Sequence, residues 1–245
     1  MKYFVSADIH GFYDEWMKAL FEKGFDIENP EHKIIVCGDL FDRGNKPKEI
    51  IDFVLKNKEK IILVRGNHED LMEEMVSRGF PYGRDYHNGT ERTIIQLAFE
   101  ARDGVDYKDV ARKSRLYDVL SLMIDYYETE NYIFVHSWIP INSENYRYRK
   151  DWRNATKKEW SAARWVNPLE MYTARLFPEK ILVFGHWHVS AFWASENAKK
   201  YSEWGANACF DPFIKEGIIM ALDACTAYSG KVNVVLLEDT VLPKY

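Results

Sequence analysis

Five short apolar runs in this chain each finish on a side chain able to bind a cation or carry a proton. The central one is IIVCGDLFDRG at residues 34–44, where a β-branched run stops at Gly38 and Asp39, Asp42 and Arg43 follow. Two more have the same form: VSADIHG at 5–11 and IILVRGNHE at 61–69. The last two carry histidine: IFVHS at 133–137 and ILVFGHWH at 181–188. A short apolar run bounded by turn signals reads as a buried strand. Polar groups at the C-terminal ends of buried strands are the usual site position in an α/β fold. Strands that all deliver ligands at the same end predict one shared centre, and that restricts the topologies open to the chain.

The segments between these runs alternate with them. Residues 14–23 have helical spacing with acids at the start, and residues 47–56 begin with Pro47, a residue favoured in a first helical turn. Residues 69–77 are predicted as a third helix. The β-α-β-α-β-α order predicts a largely parallel sheet. Apolar spacing over 90–101 and 107–127 predicts helices forming a cap at about 90–127 over one edge of a single domain spanning 1–245. Residues 217–223 and 232–238 are predicted as an antiparallel hairpin turned at Ser229-Gly230.

The spacing of the polar residues suggests roles. Asp8 and His10, two apart on an extended backbone, would face the same side, and His186 and His188 repeat that spacing. Asp39 has two carboxylate oxygens and could bridge two cations. One expected division puts Asp8, His10, Asp39 and His188 on the first cation and Asp39, Asn67, His136 and His186 on the second. Mixed carboxylate and imidazole ligation suits Mn, the leading expectation, or Fe, Zn, Co or Ni, over Mg or Ca. Two such cations about 3.5–4 Å apart can lower the pKa of a bridging water and clamp the oxygens of a displacement. Two divalent cations outweigh Asp8, Asp39 and one hydroxide, so the centre stays positive even before Arg43 and would favour a phosphate anion.

His68 is placed to act as a general acid on the leaving oxygen, with Asp42 holding its ring; alternatively Asp42 caps the next helix. Arg43 would grip phosphate through its guanidinium, with Asn67 beside it. Arg164 is a second candidate phosphate contact, or else an arginine packed on Trp165. Residues 146–158 (YRYRKDWRNATKK) hold six basic residues among Tyr146, Tyr148 and Trp152. They read as a substrate rim that could stack a base, or more plainly as a solvated loop with pinned aromatics. The tract with Trp193, Trp204 and Phe210 reads the same way.

Together, DIHG, GDLFDRG, RGNHE, VHS and GHWH resemble the phosphoprotein phosphatase branch of the calcineurin-like metallophosphoesterases, in that family's order. The closing ALDACTAYSGKVNVVLLED is similar to the ends of bacterial dinucleoside tetraphosphatases and phage-type Ser/Thr protein phosphatases. The resemblance implies a four-layer αββα sandwich of two mixed sheets flanked by helices, with metals at the strand tips. It implies metal binding by Asp8, His10, Asp39, Asn67, His136 and His186, phosphate binding by Arg43, and the acid role for His68 beside Asp42. Two features depart from it. Ser137-Trp138 stands where eukaryotic members usually carry two glycines, and GHWH has a second histidine.

The resulting expectation is a hydrolase acting on a phosphate ester or anhydride. Its leading form is a Ser/Thr protein phosphatase-like phosphomonoesterase, and its alternative a dinucleoside tetraphosphate hydrolase. A phospho-ligand binding module without catalysis is the alternative from another class, but it predicts damaged ligands, and none is damaged. A formal charge of −5 gives no general pull toward nucleic acid or membrane. The phosphorylated substrate would then be a phosphoprotein or a nucleotide. Three scattered cysteines without a CxxC pair, and no long apolar run, point to a cytoplasmic protein.

Overall fold

The computed structural model describes residues 1–98, 104–142 and 149–240. In the first sheet, β1 (Lys2–Ser6), β2 (His32–Cys37) and β3 (Ile61–Val64) run parallel. The second sheet holds β4 (Tyr127–Glu128), β5 (Tyr132–Phe134), β6 (Ile181–Phe184), β7 (Phe213–Lys215) and β8 (Ile219–Ala221). Strand β9 (Val235–Glu238) returns to the first sheet, antiparallel to β1. The sheet orders are β3-β2-β1-β9 and β4-β5-β6-β8-β7.

The two sheets pack face to face because their strands are apolar on both sides. Tyr3, Val5 and Ala7 on β1 and beyond it, with Ile35 and Cys37 on β2, point inward. They meet Phe134, Val183 and Leu222 of the second sheet. The alternate residues Phe4, Ile34 and Val36 point outward into a second cluster. The period of two along a strand sends its residues to opposite faces, so one run feeds two cores.

The outward face of the first sheet is covered by α1 (Tyr13–Glu22), α2 (Pro47–Lys56) and α3 (Asn67–Arg78). Next come α4 (Gly83–Asn88), α5 (Thr90–Leu97), α6 (Tyr107–Lys113) and α7 (Leu116–Leu120). Ile94, Leu97, Ala111, Leu116 and Val119 join that same apolar cluster, so these helices lie in the outer layer beside α2 and α3. On the second sheet, α8 (Lys157–Ala163), α9 (Pro168–Thr173) and α10 (Val189–Glu196) bury Trp160, Met171 and Phe192 with Trp138 and Trp152. A short α11 (Thr226–Ser229) precedes β9. The expected layered α/β sandwich of two mixed sheets is present.

Three local expectations are corrected. The hairpin does not form: β8 pairs with β6 and β7, while β9 pairs with β1 in the other sheet. Period-two alternation marks a strand but not its partner, and the chain crosses between sheets at residues 222–234. The helix over 107–127 breaks at Arg115, which is left-handed (φ 64°), and ends at Leu120. The third helix starts two residues early, at Asn67. Of the basic stretch, residues 146–148 lie outside the described residues. In the remainder, Trp152 is fully buried. Arg149 pairs with Asp151 and Glu159, and Arg153 with Glu128 and Glu179. That part is an anchored loop, with these arginines already neutralised.

Candidate metal centre and active site

The loops after β1, β2, β3, β5 and β6 meet at one end of the sandwich. Six of the nine non-glycine residues with positive φ among the described residues are there: Asp8, His10, Asp39, Asp42, Arg43 and His186. Each costs of order 1–3 kcal/mol, so such strain persists only where packing over-determines it. Backbone bonds tie the loops together: His10 N–H donates to the Asp39 carbonyl at 2.9 Å, and Gly44 N–H to the His10 carbonyl at 2.7 Å.

Two glycines let these loops touch. A Cβ on Gly66 would lie 2.1 Å from Asp39 Oδ1, and one on Gly185 would lie 1.8 Å from Asp8 Oδ2. Glu69, wholly buried, accepts from the N–H groups of Asp39 (3.0 Å), Leu40 (2.9 Å) and Gly66 (2.9 Å). It thus fastens the β2 loop to the β3 loop. Burial and the nearby Asp39 charge push its carboxyl up to about 7.

Asp39 lies at the middle. Its Oδ1 is 3.5 Å from His136 Nε2, and its Oδ2 is 3.7 Å from His10 Nε2. Burial works to raise its pKa, but the imidazoles of His136, His68, His10 and His186 outweigh that and hold it below the usual carboxylate range. Both histidines are oriented by their other ring nitrogen. His10 Nδ1–H donates to the Phe41 carbonyl (2.8 Å), and His136 Nδ1–H to the Cys37 carbonyl (2.9 Å). A carbonyl can only accept, so each ring donates through Nδ1 and turns its Nε2 into the site. His10 is held well below its ordinary value by burial, Arg43 and His68; His186 is lowered to about 3 by burial and His136.

The donor set fits divalent cations. Asn67 Oδ1 lies 2.7 Å from His136 Nε2 and 3.1 Å from His186 Nδ1, and those two nitrogens are 3.2 Å apart. These three potential donor atoms converge on one point, an arrangement that a cation would satisfy. Asp8 is buried, and its carboxylate accepts only the His186 N–H (2.9 and 3.1 Å) among the described residues. Burial and repulsion from Asp223 and Asp39 raise its pKa well above normal. Ligand atoms lie within 4.8 Å of one another in two sets: Asp8, Asp39 and His136, and His10, Asp39 and His68. Asp39 belongs to both.

His68 stands beside this cluster. Its Nδ1–H donates to Asp42 Oδ2 at 2.7 Å, and its Nε2 is 3.4 Å from Arg43 Nη2. Asp42 is fixed by Thr90 Oγ1, which donates to Oδ2 at 2.8 Å, and by Thr93, whose Oγ1 is 3.1 Å from Oδ1 and accepts the Asp42 N–H at 3.0 Å. Burial lowers the His68 pKa, yet Asp39 and Asp42 prevail and hold the ring above its ordinary value. Arg43 is exposed, and no described carboxylate forms an ion pair with it.

Two expected site residues have other side-chain partners. His188 Nε2 is engaged by Glu203 Oε1 at 2.8 Å, which leaves its Nδ1 as the nitrogen for a cation. Arg164 does not reach the cluster. Its Nη1 donates to Asp70 (2.8 Å) and its Nη2 to Asp125 (2.5 Å), in a network shared with Arg65 that closes off α8. Sequence reasoning missed Glu69, Thr90, Thr93 and Asp223. Glu69, directly after His68, was the only one signalled locally; the others come from distant segments.

The family model for calcineurin-like phosphoesterases matches residues 1–190. Bis(5'-nucleosyl)-tetraphosphatase PrpE [asymmetrical] of Bacillus subtilis (strain 168) is 34% identical over 134 residues, covering 49% of this chain and 53% of the relative. The Bacillus velezensis protein of the same name is 31% identical over 135 residues, 49% of this chain and 52% of its own. The chain therefore spans about half the length of the curated relatives it matches. Among solved structures, the cold-active protein-tyrosine phosphatase of a psychrophilic Shewanella species aligns over 97% of this chain and 75% of its own, with a TM-score of 0.56 and 16% identity. A Saccharomyces cerevisiae protein serine/threonine phosphatase aligns over 99% and 81%, with a TM-score of 0.51 and 13% identity. At those identities the two structures speak for the fold alone. With the family model spanning most of the sequence and every strand-tip motif inside it, the chain belongs to the calcineurin-like phosphoesterase family.

Proposed function

We propose that the chain is a metal-dependent phosphoesterase whose centre is built on Asp39. One observation carries this reading: the two oxygens of a single buried carboxylate face two different oriented imidazoles, His136 and His10. In this reading Asp8, His10, Asp39 and His188 hold one cation, and Asp39, Asn67, His136 and His186 hold the other. Manganese suits the mixed nitrogen and oxygen donors, and iron, zinc, cobalt or nickel would be accepted as well. When bound, a cation pair supplies a lowered pKa for water and an electrostatic clamp on phosphate oxygens.

The chain's own groups do the rest. Arg43, exposed and free of carboxylate partners among the described residues, grips a phosphate oxygen through its fork. The Asn67 amide beside it helps orient the phosphate. His68 donates the proton on Nε2 to the departing oxygen, and Asp42 stabilises the imidazolium through Nδ1. A built-in acid matters most for a poor leaving group such as a serine or threonine alkoxide. This favours phosphomonoester hydrolysis of the protein phosphatase kind. The second reading, hydrolysis of a dinucleoside tetraphosphate, is supported by the named activity of the two Bacillus relatives.

Purified protein with Mn should be assayed on p-nitrophenyl phosphate, a phosphoserine peptide and diadenosine tetraphosphate. Turnover of at least the first is expected, and the ratio of the other two ranks the readings. No turnover with Mn, Fe, Co, Ni or Zn supplied would overturn the hydrolase reading in favour of a binding module.

A further inference from the structure

Three side chains hold the ring of His188. Its Nε2 is 2.8 Å from Glu203 Oε1, Trp187 lies nearly parallel to it (centroids 5.6 Å apart, 20° between planes), and the Trp204 centroid is 4.5 Å away. Glu203 and Trp204 come from the loop after α10, and that loop is braced on itself. Ser202 N–H donates to the Asn207 carbonyl (3.2 Å), Ser202 Oγ–H to the Trp204 carbonyl (2.8 Å) and Ala208 N–H to the Gly205 carbonyl (3.1 Å). The segment that carries His188 is fastened to Asp8. His186 N–H donates to the Asp8 carboxylate (2.9 and 3.1 Å). Val189 N–H donates to the Asp223 carbonyl (2.8 Å), and three residues further on Thr226 Oγ–H donates to the Asp8 carbonyl (3.1 Å).

The Glu203 contact decides which ring nitrogen is offered. An ionised carboxylate only accepts, so Nε2 carries the hydrogen and Nδ1 is left to bind a cation. His10 and His136 have the opposite arrangement, with Nδ1 on a backbone carbonyl and Nε2 toward the centre. Nδ1 is nearer the main chain than Nε2, so a ring that binds through it has a shorter reach and depends more on its angle. The negative carboxylate also raises the basicity of the ring. The pair adds little to folding, because the Glu203 side chain is 46% exposed. Among the described residues no lysine or arginine forms an ion pair with Glu203, so its charge acts on the His188 ring.

From this we infer that Glu203 is a positioning residue, which orients His188 as a ligand of the first cation and so sets how tightly that cation is held. The inference rests on the reading in which Asp8, His10, Asp39 and His188 share the first cation, and adds to it a residue that acts through His188.

The test measures Mn binding by the full chain, using elemental analysis after equilibrium dialysis at a series of free Mn concentrations. The native protein should bind two ions. In Glu203→Ala one of them should bind roughly 10–100-fold more weakly, the usual cost of losing such an orienting partner, while the other keeps its native affinity. Glu203→Gln keeps an oxygen that can accept from Nε2 and should recover part of the loss. In His188→Ala the same ion should weaken at least as much. The double variant of Glu203→Ala and His188→Ala should then be no weaker than His188→Ala alone, because Glu203 acts through that ring. The melting temperature of metal-free Glu203→Ala should match that of the native protein. Native affinity for both ions in Glu203→Ala overturns the inference, and so do fully additive losses in the double variant. Glu203→Gln binding no better than Glu203→Ala also overturns it, because the carboxylate would then act as a charge and not as an orienting group. A lowered metal-free melting temperature with both ions weakened would show that the loop only supports the fold. Fewer than two ions in the native protein would place the fault in the two-cation reading and remove the Glu203 role with it.

Discussion

His68 and Asp42 are joined by a 2.7 Å hydrogen bond between Nδ1 and Oδ2 inside the protein, leaving His68 Nε2 directed toward Arg43. One histidine is thus held by a carboxylate on one side and presented beside a guanidinium on the other. That pairing sets His68, whose ring is held above its ordinary value, apart from His10 and His186, which burial lowers.

If His68 donates the proton, His68→Asn should lose roughly 10²–10⁴ in turnover on a substrate with a poor leaving group. The loss should be smaller on p-nitrophenyl phosphate, whose leaving group needs little help. Metal content measured on the same samples should stay at the native level. An unchanged rate on the poor leaving group rules the acid role out.

The pH dependence follows from the raised His68 pKa. The proton is bound below that pKa and lost as pH rises through it, so turnover should fall on the alkaline side. Asp42→Asn removes a carboxylate that favours the imidazolium, and asparagine tolerates the left-handed backbone at this position (φ 74°). The alkaline limb of kcat should therefore move to lower pH in Asp42→Asn. A limb that stays in place, or moves up, contradicts the pairing.

Gly185 lies against Asp8 without room for a methyl group. Gly185→Ala should push the Asp8 carboxylate aside and weaken metal binding, which a metal titration followed by thermal melting would detect. The stabilisation that added Mn gives the native protein should shrink in the variant. Equal stabilisation in both would show that the close approach is not needed.

Arg43→Ala should raise KM for phosphate esters and leave metal content unchanged, because in the proposed site Arg43 holds the phosphate and is not among the cation ligands. Kinetics paired with metal analysis checks this. Loss of metal with unchanged KM would reassign Arg43 to a structural role.

Much of this centre could be read from sequence because each strand carries its ligand at its own end. Asp8, His10, Asp39, Asn67 and His136 sit directly after buried runs, and strand packing brings such ends together whatever lies between. The alternation of runs and helices was legible as a largely parallel sheet; the second sheet came only from the family resemblance, although β1 and β2 are apolar on both faces and require a layer on each side. The partner of a strand was not legible. Residues 219–221 and 235–238 alternate like a hairpin yet belong to different sheets. The pairing of Arg164 was not legible either, because a lone arginine does not reveal its acids, here Asp70 and Asp125, 94 and 39 residues away. Thr90 and Thr93 fix Asp42 from α5, a contact that no local pattern encodes.

The sharing of Asp39 is tested most directly by metal stoichiometry in Asp39→Asn. The native protein, reconstituted with Mn and freed of excess metal, should retain two ions per chain by elemental analysis. If one carboxylate holds both cations, the variant should lose both together, and turnover with them. A variant that keeps one ion at native affinity, or both, would show that Asp39 does not bridge the pair.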